Sequence, residues 1–153
     1  RKEIKNKTIL GSEISEIINK GELVSDKIVS DLIEKFISNK NYKNRLIFDG
    51  YPRNINQAIN LDNLLKKYDQ KIDVVLKLSV GLKIIKKRIS ERQTQENRSD
   101  DSQEIAIRRF ETYEKSTEPV IDYYKKSKLL KVINGEGSID EINVEISDII
   151  EGI

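Results

Sequence analysis

Neither cysteine nor histidine occurs anywhere in the 153 residues. Without cysteine there can be no disulfide framework, and without either residue the usual zinc sites are excluded. Both absences suit a reducing compartment. No apolar run approaches the roughly 18 residues that a membrane span requires, and no signal-peptide pattern is visible. An excess of one charge is also missing: 28 basic residues against 26 acidic leave +2. That is too little to recommend a nucleic-acid partner through bulk electrostatics.

What is present is a well-patterned chain of the size of one domain, able to bury about two thirds of its unfolded surface. Charged residues make up 35% of it, and isoleucine dominates the apolar set. Of the 28 cations, 20 are lysine and 8 are arginine. A lysine suffices for a solvated face. Arginine is the better choice where a planar, bidentate donor must meet carboxylate or phosphate. Arg1, Arg45, Arg53, Arg88, Arg92, Arg98, Arg108 and Arg109 are therefore the residues to place.

Periodicity predicts a helix over 12–20, with Ile14, Ile17 and Ile18 on one face and Gly21 as its stop. Ser25 is positioned to cap a second helix that buries Ile28, Leu32, Ile33 and Phe36. A short strand is expected at 45–49, then a helix over 54–68 carried by Ala58, Leu61, Leu64 and Leu65. A β-branched strand follows at 72–80, then a helix over 81–95 with Leu82, Ile85 and Ile89 inward. After a polar break, a long helix is expected over 101–127, with Ile105, Tyr113, Val120 and Tyr124 on one side and a kink at Pro119. A third strand at 129–135 and an amphipathic helix over 138–151 complete the pattern. Strands alternating with helices predict an α/β fold with a parallel sheet covered on both faces. Ligands gather beyond the carboxyl ends of such strands, which places 49–53, the end of 72–80 and "NGEG" at 134–137 along one rim.

Arg88 and Arg92 lie one helical turn apart, where like charges repel. A solvated basic face beside Lys86 and Lys87 is the plain reading; an anion held between them is the sharper one. Asp100 and Asp101 fit as first-turn acids of the next helix, and Arg109 lies two turns into it. Arg88, Arg92, Arg98 and Arg109, converging on a strand-end Asp49, describe a phosphoryl-transfer site. Such chemistry needs positive charge around phosphate oxygens and a metal ligand, and no protein nucleophile.

"GELVSD" (21–26), "FDGYPRNINQA" (48–58), "RISERQTQENRSDD" (88–101), "RRFETYEKSTEPVIDYY" (108–124) and "INGEGSIDEI" (133–142) together resemble the adenylate kinases. The likeness spans nearly the whole chain in order and spacing. It implies a three-layer parallel sheet of the P-loop kinase type, forming one nucleoside monophosphate kinase domain over 1–153. Residues 1–24 would belong to the AMP-binding part, 92–101 would be a short lid and the remainder the core. The implied reaction is reversible phosphoryl transfer from MgATP to AMP, giving two ADP. Arg1 and Arg53 would hold the AMP phosphate. Glu22, Leu23 and Val24 would line its base and ribose, Gly50, Tyr51 and Pro52 would form the AMP-site turn, and Gln57 would pair with the adenine edge. Arg88 and Arg92 would meet ATP, Arg98 and Arg109 would clamp the transferring phosphoryl and the acceptor phosphate, and the backbone near Gly137 would contact the ATP adenine. Asp49 would hold a water on Mg²⁺. The resemblance further implies a cytoplasmic monomer whose ligands are ATP, AMP and ADP, without nucleic-acid or membrane partners.

Two departures stand out. Five residues separate Arg92 from Arg98, so the lid is short and carries no cysteines for zinc, as in the UMP/CMP kinases. No G-x-x-x-x-G-K occurs in the sequence, so the family's first strand and phosphate loop are absent from this chain. The expectation is therefore an N-terminally incomplete segment of a longer chain, inactive as it stands. Its sheet would lack a central strand, leaving backbone groups that cost about 1–3 kcal/mol each when buried unpaired. Rival readings are a UMP/CMP kinase and a non-catalytic nucleotide-binding module; Gln57 and "GELVSD" favour AMP.

Overall fold

In the computed structural model, residues 9–20, 24–96 and 103–153 are described. In chain order they form α1 (Ile9–Asn19), α2 (Asp26–Ile37), a 3-10 turn (Lys40–Tyr42), α3 (Ile55–Lys67), β1 (Val75–Ser79) and α4 (Leu82–Glu96). Then come α5 (Gln103–Thr112), a π-helical segment (Tyr113–Thr117), α6 (Glu118–Lys126), β2 (Leu130–Asn134) and α7 (Ile139–Glu151). β1 and β2 run parallel, with Val75 opposite Leu130 and Ser79 opposite Asn134. The crossover between them carries the helices from α4 to α6, as parallel pairing requires. An α/β fold with a parallel sheet is what the alternation of patterns predicts.

α3 is the hub of the core. Its buried residues are Gln57, Ala58, Leu61, Leu64 and Leu65, spaced so that one broad stripe faces inward. Leu61, Leu64 and Leu65 pack with Ile37 of α2, while Ala58 packs with Val120 and Tyr124 of α6. The Tyr124 ring meets Tyr123 edge-on, with centroids 5.1 Å apart at 82°, a favoured aromatic geometry. Asn54 caps the helix by accepting the Gln57 N–H. At the other end Asp69 takes a positive φ of 55°, and the Gln70 N–H reaches back to the Leu65 carbonyl, the αL stop of a helix.

Several expectations need correction. Residues 45–49 form no strand: Leu46 and Phe48 turn inward and Ile47 is 89% exposed, so the period-2 signature survives. A ladder partner does not exist for this segment among the described residues, and alternation without hydrogen-bonded pairing is not a strand. The other strands are shorter than their apolar runs, because pairing spans five residues on each. Ser25 precedes α2 but its side chain makes no capping bond. Phe36 is half exposed; Ile37 takes the inward position instead, so the buried stripe sits one residue further round. Tyr113 also faces outward.

The long helix departs most instructively. Pro119 was expected to kink it, and the helix instead widens to π geometry over Tyr113–Thr117, one turn earlier. Proline lacks an N–H and its ring collides with the carbonyl four residues back. In this chain that residue is Lys115, inside the π segment, where the wider turn moves the carbonyl away.

Leu61, 1% exposed at the centre of the α2–α3 cluster, should lose about 2–5 kcal/mol of stability on replacement by alanine. Urea unfolding of L61A against the parent protein measures it.

Candidate active site

The turn from Asp49 to Gln57 is folded around Arg53. Gly50 adopts φ +65°, and a Cβ there would lie 3.1 Å from Arg53 Nη2. Only glycine serves at such a position without strain. Arg53 Nε donates to the Gly50 carbonyl at 2.7 Å, and the Arg53 backbone N–H donates to Gln57 Oε1 at 2.8 Å. From the π segment, the Thr117 hydroxyl donates to the Arg53 carbonyl at 2.8 Å. Every backbone polar group of Arg53 is thus paired, and its guanidinium is held over the turn. The Tyr51–Pro52 peptide is cis, and the Tyr51 ring lies beside Phe48 with centroids 6.2 Å apart.

Two guanidinium groups and a carboxylate shape the electrostatics around this turn. Packing around the guanidinium holds the Arg53 pKa below the ordinary arginine value, and the neighbouring Arg109 guanidinium lowers it further. The Asp49 carboxylate partly offsets both. Two cations brought together at the cost of mutual repulsion are relieved by an anion placed between them. A cavity of about 1110 Å³ opens beside them, lined at this end by Gly50, Arg53, Arg109, Thr112 and Thr117. Its deeper wall is apolar, formed by Leu46 and Phe48 on one side, Val75, Leu76 and Leu78 of β1 on the other, and Ile146 and Ile150 of α7.

A second cluster forms at the strand ends. The Gly135 N–H continues the ladder to the Ser79 carbonyl at 2.9 Å. A Cβ on Gly135 would come within 2.6 Å of Val80 Cγ2, so the approach of these backbones demands glycine. Glu136 Oε1 accepts the Gly81 N–H at 2.8 Å, which fastens the loop to the start of α4. Arg88 Nη2 lies 3.5 Å from the Gly137 carbonyl, at the outer limit of a hydrogen bond. Ser138 and Glu141 complete a capping box at the start of α7, and the bonds from Ser138 hold the Glu141 carboxyl below its ordinary pKa.

The structure therefore brings together Arg53, Arg109 and Asp49 at one turn, and Arg88 with Gly137 at the strand ends. Gln57 is buried beneath the turn: its Nε2 donates to Asp26 Oδ1 at 2.9 Å while its Oε1 accepts from Arg53. Val24 lies in the described stretch before α2 and is partly buried. Arg45 also lines the large cavity, a position that sequence pattern did not suggest. Arg1, Glu22, Leu23, Arg98 and the side chain of Arg92 lie outside the described residues. Three contributors escaped the sequence reading: Asp26, Thr117 and Glu136. Asp26 looks like a first-turn acid, and nothing in spacing reveals that Thr117 meets Arg53 across 64 positions.

Inorganic phosphate should raise the melting temperature in proportion to the logarithm of its concentration once above its Kd, the behaviour of a ligand bound to the native state alone. Differential scanning fluorimetry of the parent and R53A checks it: the variant should show little or none of the phosphate-specific rise, with potassium chloride as the ionic-strength control.

Comparison with known proteins agrees with this geometry. The family model described as "Adenylate kinase" matches residues 1–129. Adenylate kinase of Pelagibacter ubique is 39% identical over 177 aligned residues, covering 99% of this chain and 83% of the relative. That of Bifidobacterium longum is 40% identical, covering 95% and 78%, and that of Xanthomonas campestris 38% identical, covering 93% and 76%. On a parallel α/β scaffold, these likenesses place the chain in the adenylate kinase family, phosphotransferases of the P-loop kinase fold that move a phosphoryl group between ATP and AMP.

Proposed function

We propose that the Gly50–Gln57 turn is the AMP subsite and that the cluster around Arg88 and Gly137 belongs to the ATP side. The observation that carries this reading is that Arg53 and Arg109 lie close enough to repel and both line the large cavity, an arrangement suited to receiving a phosphate. Arg1 and Arg53 receive the phosphate of AMP, and Arg98 and Arg109 clamp the transferring phosphoryl and that acceptor phosphate. Gly50, Tyr51 and Pro52 steer the backbone past the nucleotide, and Glu22, Leu23 and Val24 line its base and ribose. Arg88 and Arg92 meet the ATP phosphates, where the 92–101 lid covers them. The remainder of the single domain is core.

Phosphoryl transfer needs little covalent participation by the protein. It needs alignment of acceptor and donor and positive charge around the equatorial oxygens. Arg53 is suited to alignment, because three hydrogen bonds fix its backbone and Nε and leave Nη1 and Nη2 to turn toward a ligand. Arg109 is suited to charge stabilisation, being partly buried and close to Arg53. Members of this family use Mg²⁺ with ATP, and the exposed Asp49 carboxylate is a ligand of the kind Mg²⁺ takes in nucleotide sites, through water and beside phosphate oxygens. When bound, the ion neutralises charge on the phosphates. Asp49 itself supplies an acceptor for the ion's water and a counter-charge that steadies Arg53. No helix among the described residues is long and apolar enough to cross a membrane; a cytoplasmic monomer acting on ATP, AMP and ADP is the reading that family membership supports.

Selection of AMP over pyrimidine nucleotides rests on Gln57, whose carboxamide retains one N–H donor and one acceptor lone pair after its internal bonds are counted. In calorimetric titration AMP should bind at least tenfold more tightly than UMP or CMP, the discrimination that one well-made polar contact supplies. Tighter binding of UMP would reassign the chain's substrate.

A further inference from the structure

The polar contacts of Gln57 carry a consequence for base choice. A carboxamide can be turned over by 180° with almost no change in shape, exchanging its donor and acceptor ends. Here the two ends face groups of opposite chemistry. Oε1 accepts from the Arg53 backbone N–H at 2.8 Å, a group that can only donate. Nε2 donates to Asp26 Oδ1 at 2.9 Å, a carboxylate that when ionised can only accept. Inverting the amide would place donor against donor at one end and acceptor against acceptor at the other.

Asp26 is itself held in place. It lies in the first turn of α2 and is partly buried, and the same Oδ1 accepts from Asn54 Nδ2 at 2.9 Å. Asn54 in turn accepts the Gln57 N–H at 2.8 Å, so Asp26, Asn54 and Gln57 form a closed set of bonds. These join the start of α2 to the Arg53 turn across 28 and 31 positions of sequence. Gln57 is 3% exposed in the unliganded protein, so its orientation rests on these protein partners.

We propose that Asp26 is a positioning residue for base selection: by fixing the Gln57 carboxamide in one orientation it selects a purine bearing an amino group over one bearing a carbonyl. This rests on the reading that Gln57 pairs with the AMP base. Adenine offers an N6 donor and an N1 acceptor along one edge; hypoxanthine offers an O6 acceptor and an N1 donor there. The fixed amide matches one of these edges and the inverted amide the other. Asp26→Ala removes the acceptor outright; Asp26→Asn keeps the size of the side chain and an oxygen that Asn54 Nδ2 orients, but loses the charge that strengthens both bonds.

The test is calorimetric titration of the protein with AMP and with inosine monophosphate, comparing the ratio of dissociation constants for the parent, D26N, D26A and Q57A, with thermal melting to confirm that each variant is folded. The proposal expects D26A to narrow the preference for AMP about tenfold, the size of one charge-assisted hydrogen bond, chiefly by weakening AMP, with D26N between it and the parent and Q57A narrowing it at least as much. If D26N and D26A weaken both ligands equally and leave the ratio unchanged while Q57A narrows it, Asp26 merely supports the fold and the proposal is overturned, with the reading of Gln57 intact. If Q57A leaves the ratio unchanged, the reading of Gln57 fails and the proposal fails with it. Should D26A not fold, the ratio in D26N decides by the same criterion.

Discussion

The buried carboxamide of Gln57 is the tie on which the site depends. It meets the Arg53 N–H at one end and the Asp26 carboxylate at the other, and the residue carrying it also opens the apolar stripe of α3. One side chain thus connects core packing to the direction in which an arginine points. A polar group so deeply buried is costly unless its partners are complete. The Arg53 N–H and the Asp26 carboxylate each take one end of it, and Asn54 accepts the backbone N–H of the same residue. The rigidity of the turn comes from the need to satisfy that amide.

The opposite side of the turn is held by the π segment. Pro119 forces the helix to widen, and Thr117, inside the widened turn, donates to the Arg53 carbonyl. Arg109 lies one turn before the π segment, so the irregularity also sets where that guanidinium meets Arg53. A backbone irregularity that a proline imposes for steric reasons has become the clamp on the far side of the Arg53 turn. Here local strain, packing and function are links in one chain of cause.

Much of this was legible in the sequence. The α3 stripe, the parallel β1–β2 pair and the family itself follow from periodicity and from motifs such as "FDGYPRNINQA". The segment at 45–49 was misjudged because periodicity reports which side chains turn inward, whereas a strand also needs a hydrogen-bonding neighbour, and none lies beside it among the described residues. Phe36 was misplaced for a smaller reason: Phe36 and Ile37 are both apolar, and a rotation of about 100° per residue decides between them. Asp26 and Thr117 were missed because their roles arise from contacts between distant segments, and a first-turn acid or a helical threonine carries no mark of its eventual partner.

The central claim is that Arg53 and Arg109 share one phosphate while the Gln57 turn receives the base. A crystal structure of the protein with AMP tests it most directly. The phosphate oxygens should lie within about 3 Å of nitrogens on both guanidinium groups, with the adenine edge against the Gln57 carboxamide. A phosphate bound away from Arg53, or an AMP base lodged against the Arg88–Gly137 cluster, would contradict the account.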